Sequence, residues 1–141
     1  MTRKNLILIL GTALLTGGAI YAYSEYDRGL ATTGSMPVQE VVTAPRLLAD
    51  FQADEAAATS RYVGATEQVV QVSGTIRNME PVGNEITNVV LETGDDLAGV
   101  VCEFLNKDLP ATWHNGAVVE VNGVCTGLLM DVVLVRCIAT P

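Results

Sequence analysis

His114 is the one histidine of the 141-residue chain, and its three cysteines, Cys102, Cys125 and Cys137, all fall in the last 40 residues. A thiol beside an imidazole is the arrangement of a nucleophilic thiolate, because the base removes the proton and the sulfur then attacks. His114 stands between Trp113 and Asn115-Gly116, a turn sequence in which a solvated ring is ordinary. Strand alternation points the three cysteines inward, away from such a base. A thiol- or histidine-dependent envelope enzyme is therefore the alternative reading and not the leading one. No C-x-x-C occurs, which removes a thioredoxin-type redox motif and a paired zinc knuckle. Paired carboxylates occur as Asp54-Glu55 and Asp95-Asp96, one pair on a helix surface and one in a turn, and neither opens the D-x-D-x-D-G series of a calcium loop. The sequence assigns no catalytic residue, no metal ligand and no cofactor.

The elements that position these residues follow from periodicity. Pro45, just after Thr43, suits the first position of a helix, and Leu47, Phe51, Ala58 and Tyr62 then recur on one helical face, with Leu48 widening it. This predicts a helix over residues 45–62, ended by Gly64. Beyond Gly64 the period changes to two. Val70, Val72, Gly74 and Ile76 alternate with Gln71, Ser73, Thr75 and Arg77 in a first strand, Ile86 to Glu92 form a second, and Gly99 to Leu105 a third. Residues 106–113 read as a short helical or irregular link. A fourth strand places Val119, Val121, Gly123 and Cys125 on one face, and a fifth, Asp131 to Ile138, places Val133, Val135 and Cys137 opposite Arg136. Five short strands broken after the third match an OB-fold Greek-key barrel. Glycines within strands are costly in flat sheets and expected where a barrel bends.

Ahead of this domain, residues 6–23 run without a charge behind Arg3-Lys4. About 18 apolar or small residues reach the lower limit for a membrane-spanning helix, and basic residues before the run predict a cytoplasmic N-terminus. The expectation is a single-pass membrane protein anchored through Leu6 to Tyr23, with its C-terminal domain periplasmic or extracellular; a cleaved signal peptide is the competing reading. No cysteine near residues 17–25 provides a lipobox. The organisation expected is residues 1–5 cytoplasmic, 6–23 the anchor, 24–42 a flexible tether and 43–141 the folded domain. The fold class is mainly β with an N-terminal helix, a five-stranded OB-fold barrel behind a single transmembrane helix. From Ser24 onward six Lys/Arg stand against all sixteen Asp/Glu, a net −10. Such a domain repels phosphate backbones, whose non-specific affinity rests on Lys and Arg.

Residues 47–51 (LLADF), 54–58 (DEAAA) and 62–64 (YVG) lead into 70–76 (VQVSGTI), with 99–104 (GVVCEF), 116–127 and 132–137 (VVLVRC) following. As a set they resemble the tRNA_anti-like OB-fold family, over about residues 45 to 139. Members are small, mostly bacterial proteins that commonly follow a signal, lipoprotein or membrane-anchor segment. The resemblance implies the fold and topology, and carries no functional residue onto this chain.

OB-folds that hold single-stranded nucleic acid combine a basic groove with exposed stacking aromatics. Here the strands offer Phe104 on the core face and only Arg77 and Arg136, so no nucleic-acid partner is expected. The leading function is a binding or interaction module for an envelope protein, peptide or glycan, with Val101, Leu105, Val118 and Val124 as a contact face unless the helix covers them. In an OB-fold the third and fifth strands are neighbours, which makes Cys102–Cys137 the favoured disulfide if one forms.

Overall fold

Thr43 and Pro45 begin the main helix as their types dictate. Thr43 takes an extended backbone and its hydroxyl accepts the Arg46 N–H at 3.4 Å, while Pro45 occupies a first-turn position that needs no hydrogen-bond donor. The structure, a computed structural model, describes residues 4–5, 15–22 and 32–140. The chain divides into two units, Met1–Thr32 and Thr33–Pro141. In the first, residues 4–5 and 15–22 are helical. Among the described residues no helix is long and apolar enough to cross a membrane. The expected single-pass anchor, its membrane contact and the cytoplasmic-to-periplasmic topology drawn from it are corrected accordingly. The rest of the run, residues 6–14 and 23, lies outside the described residues.

The second unit is mainly β. Its elements are β1 (Val38–Thr43), α1 (Ala44–Ala53), α2 (Glu55–Ala58), a π-helical turn (Thr59–Val63), β2 (Val69–Val82), β3 (Ile86–Leu91), β4 (Val100–Leu105), β5 (Val118–Leu128) and β6 (Val132–Ala139). The expected helix over 45–62 is thus broken. Asp54 ends α1 in an extended conformation, and its carboxylate accepts the Ala57 N–H at 3.0 Å to start α2. The expected tether over 24–42 also holds structure, because a 3-10 turn at Thr33–Ser35 and all of strand β1 but Thr43 fall within it.

β2 is long enough to serve two neighbours. Its first half pairs antiparallel with β5 and its second half with β3. β3 pairs with β4, β4 runs parallel to β6, and β6 returns antiparallel to β5, which closes a five-stranded barrel. β1 lies parallel along Val69–Ser73, extending the edge of β2 that β3 takes up further along. This is the OB topology that the break after the third strand implied.

Inward residues alternate as the pleat requires: Val89 and Leu91 on β3, Val100, Cys102 and Phe104 on β4, and Val119, Val121 and Cys125 on β5 are buried. α1 adds Leu47, Leu48 and Phe51 to the same core. Gly74 makes that approach possible, since a Cβ there would stand 3.1 Å from the Ala44 Cβ and 3.4 Å from the Leu91 Cβ. Trp113 packs edge-on against Phe104, the ring centroids 5.4 Å apart. β6 departs from the expected alternation. An extra residue opposite Gly123 makes a bulge, with Arg136 at φ 52, so Val132, Leu134 and Cys137 point inward while Val133 and Val135 face out.

Candidate functional site

On an OB barrel the usual ligand face is the outer surface of its second and third strands, here β3 and β4. Register puts Val90, Val101 and Val133 in one half-buried row across β3, β4 and β6, with Asn88 opposite Glu103 beside it. The row is aliphatic and its neighbours are polar or acidic. It offers no ring for a base to stack on and no cation for a phosphate. The four aromatic residues of this unit are committed elsewhere: Phe51, Tyr62 and Phe104 are fully buried, and Trp113 packs on Phe104.

The arginines are committed too. Arg46 pairs with Asp50 at 2.7 Å, Arg61 with Glu40 at 3.2 Å, Arg77 with Glu92 at 2.5 Å and Arg136 with Glu67 at 2.6 Å. One network joins α1, β1 and the π-helical turn. The buried Tyr62 hydroxyl donates to Asp50 at 2.6 Å, and the Arg61 guanidinium lies 5.2 Å from the Tyr62 ring centre. Burial and the adjoining Asp50 carboxylate push the Tyr62 phenol up to about 12. The same hydrogen bond, with Arg46 behind it, holds Asp50 below the usual carboxylate range. This network ties three segments together, and its Tyr62 proton is locked in place.

The residues suggested by sequence as a contact face do not form one. Val101 belongs to the valine row. Leu105, 43% exposed, borders a recess of about 390 Å³ with Asn84, Glu85, Asn106 and Lys107. Val118, 79% exposed, is opposite Thr75 on another side of the barrel. Val124 is buried, because the π-helical turn and the 3-10 turn at Thr33–Ser35 pack against β5. The candidate chemistry is dispersed in the same way. His114 is exposed, its Nδ1 2.9 Å from the Asn115 carbonyl oxygen, whereas Cys102, Cys125 and Cys137 are buried free thiols. Burial pushes the Cys125 thiol up to about 11, and burial together with a hydrogen bond to Cys102 pushes Cys137 up as well. The neighbouring β4 and β6 therefore bring Cys102 and Cys137 into contact as their strand order suggested, as two thiols. Among the described residues no group of acids, cysteines or histidine is disposed to hold a metal ion.

What sequence reasoning missed is a pair of loops. The segment 92–99 is stitched internally: Thr93 Oγ1 donates to the Ala98 carbonyl at 2.6 Å, the Leu97 N–H donates to Asp95 Oδ1 at 2.8 Å, and Arg77 reaches the Asp95 carbonyl at 2.7 Å. Gln52 of α1 donates to Asp95 Oδ2 at 3.3 Å, so both carboxylate oxygens of Asp95 face protein donors. The reversal at 129–131 is fastened to that segment. The Gly99 N–H donates to Asp131 Oδ1 at 2.7 Å, and the Val132 N–H donates to the Gly99 carbonyl at 3.1 Å. Between these bonds Leu97, Leu129 and Met130 stand 88%, 86% and 82% exposed. Loop sequences carry no period to reveal this. The signal available was Leu-Leu-Met between Gly127 and Asp131, where a turn ordinarily carries polar residues.

A comparison with curated proteins finds no match. Among solved structures, a supposed nucleic acid-binding lipoprotein from Klebsiella pneumoniae subsp. pneumoniae MGH 78578 superposes with a TM-score of 0.55 at 17% identity, over 80% of this chain and 98% of that one. The yeast Stn1 and Ten1 structure superposes with a TM-score of 0.44 at 9% identity, over 74% of this chain and 64% of that one. The first likeness is one of fold, and the second is too loose to carry more. The sequence itself matches the tRNA_anti-like family over residues 1–139, and with the closed five-stranded barrel just described the chain belongs to that family.

Proposed function

We propose that this domain is a non-catalytic binding module whose ligand is a polypeptide. The observation that carries the reading is the loop pair with Leu97, Leu129 and Met130 exposed on a hydrogen-bonded frame. Three large apolar side chains this exposed on two adjoining loops suit a contact surface, and a frame already ordered loses little entropy on binding. The Klebsiella relative's supposed ligand is a nucleic acid, but this chain's charges argue against carrying that over. Each arginine of the OB unit would have to leave a carboxylate to reach a phosphate, and the aromatic residues of the unit would have to leave the core. A thiol-based enzyme is likewise disfavoured by the burial of all three thiols, which keeps Cys125 and Cys137 protonated.

Fluorescence anisotropy with labelled oligo-dT and oligo-U at low salt tests the exclusion. No saturable binding is expected at micromolar protein. Saturable binding that weakens steeply with added salt would overturn the reading, because that dependence is the signature of phosphate contacts.

A further inference from the structure

The loop pair also states the chemistry of its partner. Glu92, Asp95, Asp96 and Asp131 lie in or beside the two loops, with Arg77 as the neighbouring cation. Arg77 is already bonded to Glu92 and to the Asp95 carbonyl. The Glu92 hydrogen bond foremost, with the Asp96 and Asp131 charges behind it, strengthens the hold of Arg77 on its proton, and the Asp131–Gly99 bond ties the second loop to the first. The exposed leucines and methionine therefore project through a field that is negative on balance. A partner docking there must cover the apolar tips and bring positive charge to their rim. Methionine and leucine on adjoining loops suit an aliphatic face, since flexible thioether and branched chains adapt to such surfaces.

Resting on the polypeptide-binding reading, we propose that the end of the barrel formed by residues 92–99 and 128–132 docks a basic amphipathic segment of a partner protein. Leu97, Leu129 and Met130 receive its apolar side chains, and Asp96 and Asp131 face its lysines or arginines. An anionic nucleic acid or anionic membrane is repelled by the same rim. An acidic peptide is repelled too, and a neutral apolar one leaves the rim charge uncompensated.

The test is selection of random phage-displayed dodecapeptides on the full chain, followed by affinity measurement on the enriched sequences. The enriched peptides are expected to carry net positive charge with two or more large aliphatic residues. Leu129→Ser/Met130→Ser should weaken their binding by about tenfold or more. The exposed Asp96→Lys should weaken it and flatten its salt dependence, while Leu105→Ser, at the distant recess, should leave it unchanged. Acidic or uncharged consensus peptides would overturn the proposed chemistry. Basic peptides indifferent to the loop variants would overturn the proposed surface while the polypeptide-binding reading stands. Co-sedimentation with phosphatidylcholine vesicles that is lost in Leu129→Ser/Met130→Ser would replace the peptide by a lipid surface. Failure to enrich any peptide, alongside saturable oligo-dT binding, would end the polypeptide-binding reading itself.

Discussion

Gly123→Ala isolates how tightly the bulge in β6 is packed against β5. A Cβ at residue 123 would lie 2.6 Å from the Cys137 Sγ and 3.2 Å from both Cβ and Cδ2 of Leu134. The sulfur contact is about 1 Å inside the separation at which non-bonded heavy atoms attract. Neither neighbour has an easy escape, because Cys137 and Leu134 are buried and Gly123 is itself held opposite Val70 of β2. Overpacking of this kind costs about 1–3 kcal/mol, and the crowding on two sides puts this case in the upper half. For a unit of this size about 2–3 kcal/mol lowers Tm by roughly 10–20 °C. Cys137→Ala alone should cost about 1–2 kcal/mol by leaving a small cavity. Combined, the two changes compensate, since the new methyl occupies space the sulfur vacates, and the residual Leu134 contact keeps the rescue incomplete. Urea unfolding of the full chain, followed by far-UV circular dichroism, should show the double variant more stable than the sum of the singles by at least about 1 kcal/mol. Additivity within about 0.5 kcal/mol would refute the packing geometry at the bulge.

The remaining expectations concern protons and thiols. Cys125 and Cys137, buried and shifted upward, should resist Ellman's reagent at pH 8 in the native protein and react fully in urea; rapid native labelling of either would show that the barrel opens or that the thiols are accessible. Acid should destabilise the fold. Asp50 is held low foremost by Tyr62, Glu92 by Arg77 and Asp95 by the Leu97 N–H. A carboxylate depressed in the folded state contributes stability that is present above its unfolded pKa and lost as pH falls through the folded one. The urea midpoint should therefore decline as pH drops below about 4, and a midpoint that rises on acidification would contradict these pairings. Tyr62→Phe removes the strongest influence on Asp50, so it should lower stability by about 1–2 kcal/mol and shrink the acid-dependent part. Equal acid sensitivity in the variant would detach the effect from Asp50.

The parts of the fold that were legible are those where burial repeats with a period. Val70, Val72 and Ile76, then Val100, Cys102 and Phe104, then Val119, Val121 and Cys125, alternate because a barrel strand has one inner face, and all are buried. The break after the third strand gave the topology. What failed was wherever a single residue reset the count. Arg136 adopts a left-handed backbone inside β6, so an alternation carried back across it from the inward Cys137 turns Val133 and Val135 the wrong way. Asp54 ends one helix with its backbone N–H and starts another with its carboxylate, a switch that a continuous apolar stripe conceals. β1 hides for a different reason: Val38–Thr43 has one buried residue, Val42, so nearly all of its stability comes from backbone pairing with β2 rather than from a pattern of side chains. The contact face failed because strand position fixes which way a side chain points and says nothing of what packs on top of it, as Val124 beneath the π-helical turn demonstrates.

The way this barrel spends its few special residues also bears on its recognition chemistry. A barrel of this size needs large rings to fill it, and Phe51, Tyr62 and Phe104 are consumed there, with Trp113 packed onto Phe104. Joining a broken helix and an extra strand to the barrel consumes Arg46 and Arg61, and bracing the 92–99 loop consumes Arg77. Fold maintenance thus uses the two residue classes on which nucleic-acid recognition by OB-folds depends. Among the side chains left exposed on the loops are the aliphatic tips Leu97, Leu129 and Met130 and the Asp96 carboxylate. A stacking and phosphate-binding face on the Val90, Val101 and Val133 row would require new aromatics and new cations there. On the proposed polypeptide-binding reading, specificity would rest on the loops, where sequence can vary without disturbing the barrel that holds them.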